Sequence, residues 1–242
     1  MNVLSIGNSF AQDAQRWLHQ LAAQHGVELL AVNLYIGGCS LETHHRNWQN
    51  SAPLYDLQIN GEVTGRKVSI QEALAMNTWD VITLQQVSQD SGRPETYEPY
   101  LTTLAEAMRA EQPNVQLYFH QTWAYETDSD HGGFANYDRD QNKMYDAILR
   151  TSAWAGERIA APLLRVGTVV QALRRCVPEF DYAAGGKSLC RDGFHLSLDY
   201  GRYAAAAVWL RTLTGVTLKA AAFEDFDTAL LEKIHAVVHL TI

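Results

Sequence analysis

Short apolar runs alternate along the chain with stretches of helical periodicity. Residues 2–6 form a first apolar run, stopped by Gly7. In 11–24, Trp17, Leu18, Leu21 and Ala22 recur on one helical face, and Gly26 stands where a helix-ending glycine belongs. A second run, 28–36, ends at Gly37-Gly38. The stretch 39–64 has no clear period and reads as a long insertion, with part of a small hairpin at 63–68 and a short helix at 69–76 capped by Ser69. Strands are then predicted at 80–85, 115–120 and 162–166, and helices at 97–111, 137–159, 168–175, 198–213 and 229–238. The stretch 122–134 reads as irregular.

Strands that alternate with helices predict a parallel sheet covered on both faces. Five strands with short connections predict an open, doubly wound α/β sheet in a single domain over 1–242, with residues 39–79 as an insertion and short helix near the site. Such sheets bind ligands beyond the carboxyl ends of their strands. That rule directs the search to 7–10, 37–40, 85–91, 120–125 and the segment holding His195.

Composition narrows the function classes. With 242 residues, 47% of them hydrophobic, the chain can bury a sizeable core. A formal net charge of −8 with no Lys/Arg block argues against nucleic acid or an anionic membrane as partner. No apolar run approaches the roughly 20 residues of a membrane span. The first residues carry neither a basic nor a long apolar region, so a cytoplasmic location is expected, with export after removal of a leader as the alternative. Cys39, Cys176 and Cys190 form no C-x-x-C pair and read as reduced, structural thiols.

The chemistry-bearing residues fall at predicted strand ends and in the loop that carries His195. Ser9 follows the first strand where a helix begins, so its hydroxyl is exposed at the sheet edge and its N–H is available to an oxyanion. Ser9 also suits a plain helix cap. A serine hydroxyl needs a base, and the base an orienting carboxylate. Asp192-Gly193-Phe194-His195 supplies both on one turn of chain, although a capping Asp in a surface turn has the same spacing. Gly38 can bring a main-chain N–H close to a substrate, or simply make a turn. Gln85 and Gln86 close the third strand, where an amide reaches the same point or is satisfied within the fold.

Taken in order, Gly7-Asn8-Ser9-Phe10, Tyr35-Ile36-Gly37-Gly38-Cys39-Ser40-Leu41, Leu84-Gln85-Gln86, Gln121-Thr122-Trp123-Ala124-Tyr125 and Asp192-Gly193-Phe194-His195-Leu196-Ser197 resemble the SGNH (GDSL-like) hydrolase superfamily, and within it an uncharacterised bacterial branch. The resemblance implies a flavodoxin-like three-layer sandwich with strand order 2-1-3-4-5. It also implies a Ser9–His195–Asp192 triad, with the Ser9 and Gly38 N–H groups in an oxyanion hole. The superfamily's Gly-x-Asn-Asp after the third strand is replaced here by Gln85-Gln86-Val87-Ser88-Gln89-Asp90, which makes Gln86 the first candidate for the third donor.

A serine esterase is therefore expected, acting on acylated carbohydrates or other small esters. Asn8, Gln85, His120, Trp123 and Tyr125 are candidates to line its pocket, and no cofactor is expected. Two other readings stand beside it: a non-catalytic glycan- or metabolite-binding module, and a flavin or nucleotide binder on the same scaffold. Glu42, His44 and His45 suggest a metal only weakly, since adjacent histidines point apart and no third ligand is evident.

Overall fold

The first strand, β1 (Asn2–Gly7), is buried from Val3 onward, because a parallel strand inside a sheet hides both faces of its pleat. Alternate side chains go to opposite faces. Val3 joins one hydrophobic core and Leu4 and Ile6 a second. The computed structural model describes Met1–Ile242. Beside β1 stand β2 (Leu30–Tyr35) on one side and β5 (Val81–Leu84) on the other, followed by β6 (Gln116–His120) and β7 (Leu163–Leu164). All five are parallel, with Val3 opposite Ala31 on one side and Val81 on the other.

The five-stranded, all-parallel sheet expected from the sequence is corrected to seven strands of mixed direction. The insertion contributes an antiparallel hairpin, β3 (Tyr55–Ile59) and β4 (Glu62–Val68), and the order is β4-β3-β2-β1-β5-β6-β7. The stretch 63–68, expected as part of a hairpin, is β4, but that the pair joins the main sheet is hidden for two reasons. Asn33 and Gln58 pair across β2 and β3, with Asn33 Nδ2 donating to Gln58 Oε1 at 2.9 Å, so polar residues sit where apolar ones are looked for. All of β4 except Val68 is exposed, so its composition is that of a surface. The turn itself carried a signal: Asn60 and Gly61 both have positive φ, 52° and 83°, as a two-residue hairpin loop requires.

Helices cover both faces. One face carries α1 (Ser9–Gln15), α2 (Leu18–Gln24), α7 (Val166–Cys176), α8 (Tyr200–Thr214) and α9 (Thr228–Thr241). The other carries α3 (Leu41–Gln49), inside the supposedly irregular insertion, with α4 (Ile70–Ala75) and α5 (Tyr100–Glu111). The long helix α6 (Gln141–Arg158) sends Met144 and Ile148 into one core and Ala155 into the other. The helix expected over 11–24 is broken at Arg16-Trp17. Gly7 is required where β1 turns into α1, since a Cβ there would lie 2.5 Å from the Ala11 Cβ and 2.6 Å from Asn33 Oδ1. No helix is long and apolar enough to cross a membrane.

Candidate active site

At the carboxyl end of β1 the chain turns through Asn8, whose extended backbone makes it the cap of α1. Its Oδ1 accepts the Phe10 N–H at 3.0 Å. Ser9 is thereby relieved of capping, and its hydroxyl meets His195 Nε2 at 2.9 Å. As first residue of α1, Ser9 has no preceding turn to accept its N–H. The Gly38 N–H, in the turn after β2, likewise has no acceptor within the protein.

His195 is fixed from behind. Its Nδ1 donates to Asp192 Oδ2 at 2.7 Å, while Asp192 Oδ1 accepts the N–H groups of Phe194 (3.2 Å) and His195 (2.8 Å). Partial burial raises the Asp192 pKa, but the hydrogen bonds from the His195 ring and main chain outweigh it and hold the carboxyl below the ordinary value. The loop closes tightly because Gly193 has φ +82° and packs so near Ser129 that a Cβ would stand 2.9 Å from the Ser129 Cα. The carboxylate of Glu126, buried against Arg174 at 3.3 Å, accepts from Ser188, and the Glu126 N–H donates to the Gly193 carbonyl.

Asp13 joins the two halves of the array. It lies one turn after Ser9 on α1 and is fully buried. Its carboxylate accepts from Arg191 at 3.0 and 3.1 Å, from Arg202 Nε at 2.8 Å and from the Leu196 N–H at 2.9 Å. Arg191 and Leu196 bracket the Asp192–His195 turn, so one carboxylate ties Ser9's helix to the loop that faces it.

A cavity of about 160 Å³ opens over Ser9. Besides Ser9, His195 and Gly38 it is lined by Gln89, His131 and Phe194. His131 Nδ1 accepts the Gly133 N–H at 3.0 Å, so the neutral ring carries its proton on Nε2. Burial, then the nearby His195, lowers the His131 pKa. Of these lining residues, sequence offers Gln89 only as a lesser candidate for the third oxyanion donor and Phe194 only as part of the Asp192–His195 turn, while nothing in it singles out His131 within the irregular stretch 122–134. Asp13 gave no signal, since one Asp in a short helix reads as a solvated residue.

Of the pocket residues expected from sequence, Asn8 borders the cavity and four do not. Trp123 is fully buried, stacked on Phe10 with centroids 4.1 Å apart, and donates from Nε1 to the Phe194 carbonyl at 2.7 Å. Tyr125 is fully buried, with its hydroxyl 2.7 Å from Ser88 Oγ. Gln85 and His120 lie beneath the Ser9 turn. These four side chains point inward because their strands and strand ends are covered on both faces. Gln86 is corrected as a third oxyanion donor: its Nε2 donates to the Thr96 carbonyl (3.0 Å) and Oγ1 (3.1 Å), while its Oε1 caps the N–H groups of Leu41 and Val87. Both amide hydrogens are thus committed away from Ser9. His44 is buried, with Nδ1 2.9 Å from the Tyr55 hydroxyl, and Cys39, Cys176 and Cys190 are free thiols.

With this geometry in place, the sequence matches the family described as "Domain of unknown function (DUF4886)" over residues 2–232. The chain belongs to the DUF4886 family. A solved DUF4886 family protein from Bacteroides uniformis ATCC 8492 is 36% identical and superimposes with a TM-score of 0.91, covering 99% of this chain and 93% of that one. More distantly, this DUF4886 chain is similar to a putative SGNH hydrolase from Slackia heliotrinireducens (23% identity, TM-score 0.60, 88% and 98% of the two chains). It is also similar to a mutant of an acetyl-xylooligosaccharide esterase from Geobacillus stearmophilus (14% identity, TM-score 0.56, 91% and 97%). These likenesses give the DUF4886 chain an SGNH hydrolase-like fold. The sequence finds no match among curated proteins.

Proposed function

We propose that this chain is a serine acyl hydrolase that cleaves small esters, with Ser9 as nucleophile, His195 as general base and Asp192 as the carboxylate that orients it. The observation that carries the proposal is the continuous array from Ser9 Oγ through His195 to Asp192, at 2.9 and 2.7 Å. Because Nδ1–H is held by Asp192, the neutral ring presents the lone pair of Nε2 to the serine hydroxyl. As Ser9 Oγ attacks the ester carbonyl, Nε2 takes its proton. The negative charge that develops on the carbonyl oxygen is met by the Ser9 and Gly38 N–H groups, both free to donate. Collapse breaks the ester C–O bond, and the alcohol leaves with the proton from Nε2. Water, deprotonated by the same nitrogen, then attacks the acyl-Ser9 carbonyl, and the carboxylic acid is released as Ser9 regains its proton.

The small cavity over Ser9, lined partly by Gln89 and His131, favours a short acyl group on a polar alcohol. An acylated carbohydrate fits that description, and the acetyl-xylooligosaccharide esterase of like fold points the same way. The test is hydrolysis of p-nitrophenyl acetate by wild type, Ser9→Ala and His195→Ala. Each substitution lowers kcat by about 10⁴-fold or more, as loss of a residue acting within such a unit does. Equal rates in all three, with Ser9 unlabelled by a fluorophosphonate, would sink the proposal in favour of a binding module.

A further inference from the structure

Beneath the Ser9 turn lies a row of three buried side chains, Asn8, Gln85 and His120, that takes no part in the chemical steps. Its polarity is dictated from one end by the main chain. The Phe10 N–H can only donate, so the Asn8 atom facing it at 3.0 Å is Oδ1. The Cys39 carbonyl can only accept, so the Asn8 atom facing it at 3.0 Å is Nδ2. With Asn8 fixed, the Gln85 atom 2.6 Å from Asn8 Oδ1 is Nε2, a donor. Gln85 Oε1 is left to face His120 Nδ1 at 2.9 Å, and that nitrogen therefore carries the ring proton.

The other end of His120 is bare. Nε2 is buried without a partner, in a ring that stands edge-on to Trp209 with centroids 5.2 Å apart and 6.2 Å from the Trp123 ring. Burial pushes the His120 pKa down to about 3, so the ring is neutral wherever His195 works as a base. A neutral donor in a dry site serves direction rather than proton transfer.

The Asn8 amide at the head of the row bridges two turns. Its own peptide leads directly into the Ser9 N–H, and its bond to the Cys39 carbonyl holds the turn whose preceding residue is Gly38. We infer that the Asn8–Gln85–His120 row sets the spacing of the Ser9 and Gly38 N–H groups, which makes Gln85 and His120 positioning residues for the oxyanion rather than contacts for the substrate. The inference rests on the acyl-hydrolase reading.

The experiment joins ¹⁵N NMR of the wild-type imidazoles to p-nitrophenyl acetate kinetics of two His120 variants. The spectrum assigns the His120 proton to Nδ1. His120→Leu, which removes the donor, lowers kcat by about 10- to 100-fold with KM within about twofold, less than the 10²–10³ of losing an oxyanion donor outright. His120→Asn, which offers an amide N–H near the place of Nδ1–H, restores most of that loss. A proton on Nε2 overturns the wiring in the wild-type protein, whether or not the variants fold, and leaves the acyl-hydrolase reading untouched. Equal rates for the Leu and Asn variants, or an effect confined to KM, overturn the positioning role. If Ser9→Ala hydrolyses the ester as fast as wild type, the hydrolase reading falls and the positioning role of the row falls with it.

Discussion

Replacing Asp13 by Ala removes the acceptor at the centre of four hydrogen bonds, and the cost can be worked from their partners. The Leu196 N–H is left buried without an acceptor, at about 1–3 kcal/mol. Two guanidinium groups lose their counter-charge, which in a sealed interior costs about 3–5 kcal/mol. Here the Arg191 and Arg202 side chains keep 29% and 14% of their exposure, so both turn partly to water and the lower end applies. The expected loss is about 4 kcal/mol, a large share of the roughly 5–15 kcal/mol that holds a domain folded. Urea unfolding followed by the fluorescence of the six tryptophans reads it directly. In the protein still folded, ester hydrolysis falls as well, because the Asp192–His195 turn is no longer tied to Ser9's helix. A second change, Arg202→Ala, made in the Asp13→Ala background removes one stranded charge and recovers part of the stability. A loss below about 1 kcal/mol would refute the reasoning, since it would mean that the carboxylate and the two guanidiniums are no better off together than in water.

Three further outcomes are expected. Gly193→Ala forces a side chain into the left-handed region and against Ser129, costing about 1–2 kcal/mol for the backbone alone, and lowers kcat by displacing His195; thermal melts and ester hydrolysis measure the two effects. Burial lowers the pKa of His44 and His120 from 6.5 to about 3, and burial together with His25 and His239 lowers His235 to about 4. The unfolded chain therefore takes up these protons first, so stability is full above pH 6.5 and falls toward pH 3–4 by about 1.4 kcal/mol per pH unit for each histidine, as urea midpoints across that range record. The Asp192 carboxyl, followed by ¹³C NMR, titrates below its ordinary 3.8, and in His195→Ala its midpoint moves up.

The parallel strands were legible because burial on both faces leaves almost only apolar residues, as in Val81–Leu84. The Ser9, Asp192 and His195 set was legible through the order of its motifs, since Ser9 alone reads equally as a helix cap and Asp192-x-x-His195 equally as a surface turn. Of the hairpin, the stretch 63–68 was legible as one arm; its partner β3 was not, because Asn33 and Gln58 satisfy each other inside the sheet where apolar residues are looked for. Helix α3 was missed because Leu-Glu-Thr-His-His-Arg-Asn-Trp-Gln hides its inward face behind His44 and Asn47, polar groups that find partners in Tyr55. The pocket was misjudged for a related reason. Sequence can place His120, Trp123 and Tyr125 at the functional edge, but whether a side chain there faces the ligand or the core depends on which face its neighbours cover. Gln86 shows the same limit, as its amide is consumed by Thr96, a partner ten residues away that no motif names.

The partners of Asp13 also bear on how the protein is made. Arg202 follows Asp13 by 189 positions, so at a ribosome's pace of about 5–20 residues per second the carboxylate waits roughly 10–40 s for its cations. Over that interval the growing chain holds Ser9 without His195 to face it. On the acyl-hydrolase reading, a product cut short before the 190s carries Ser9 without Asp192 or His195 and hydrolyses no ester.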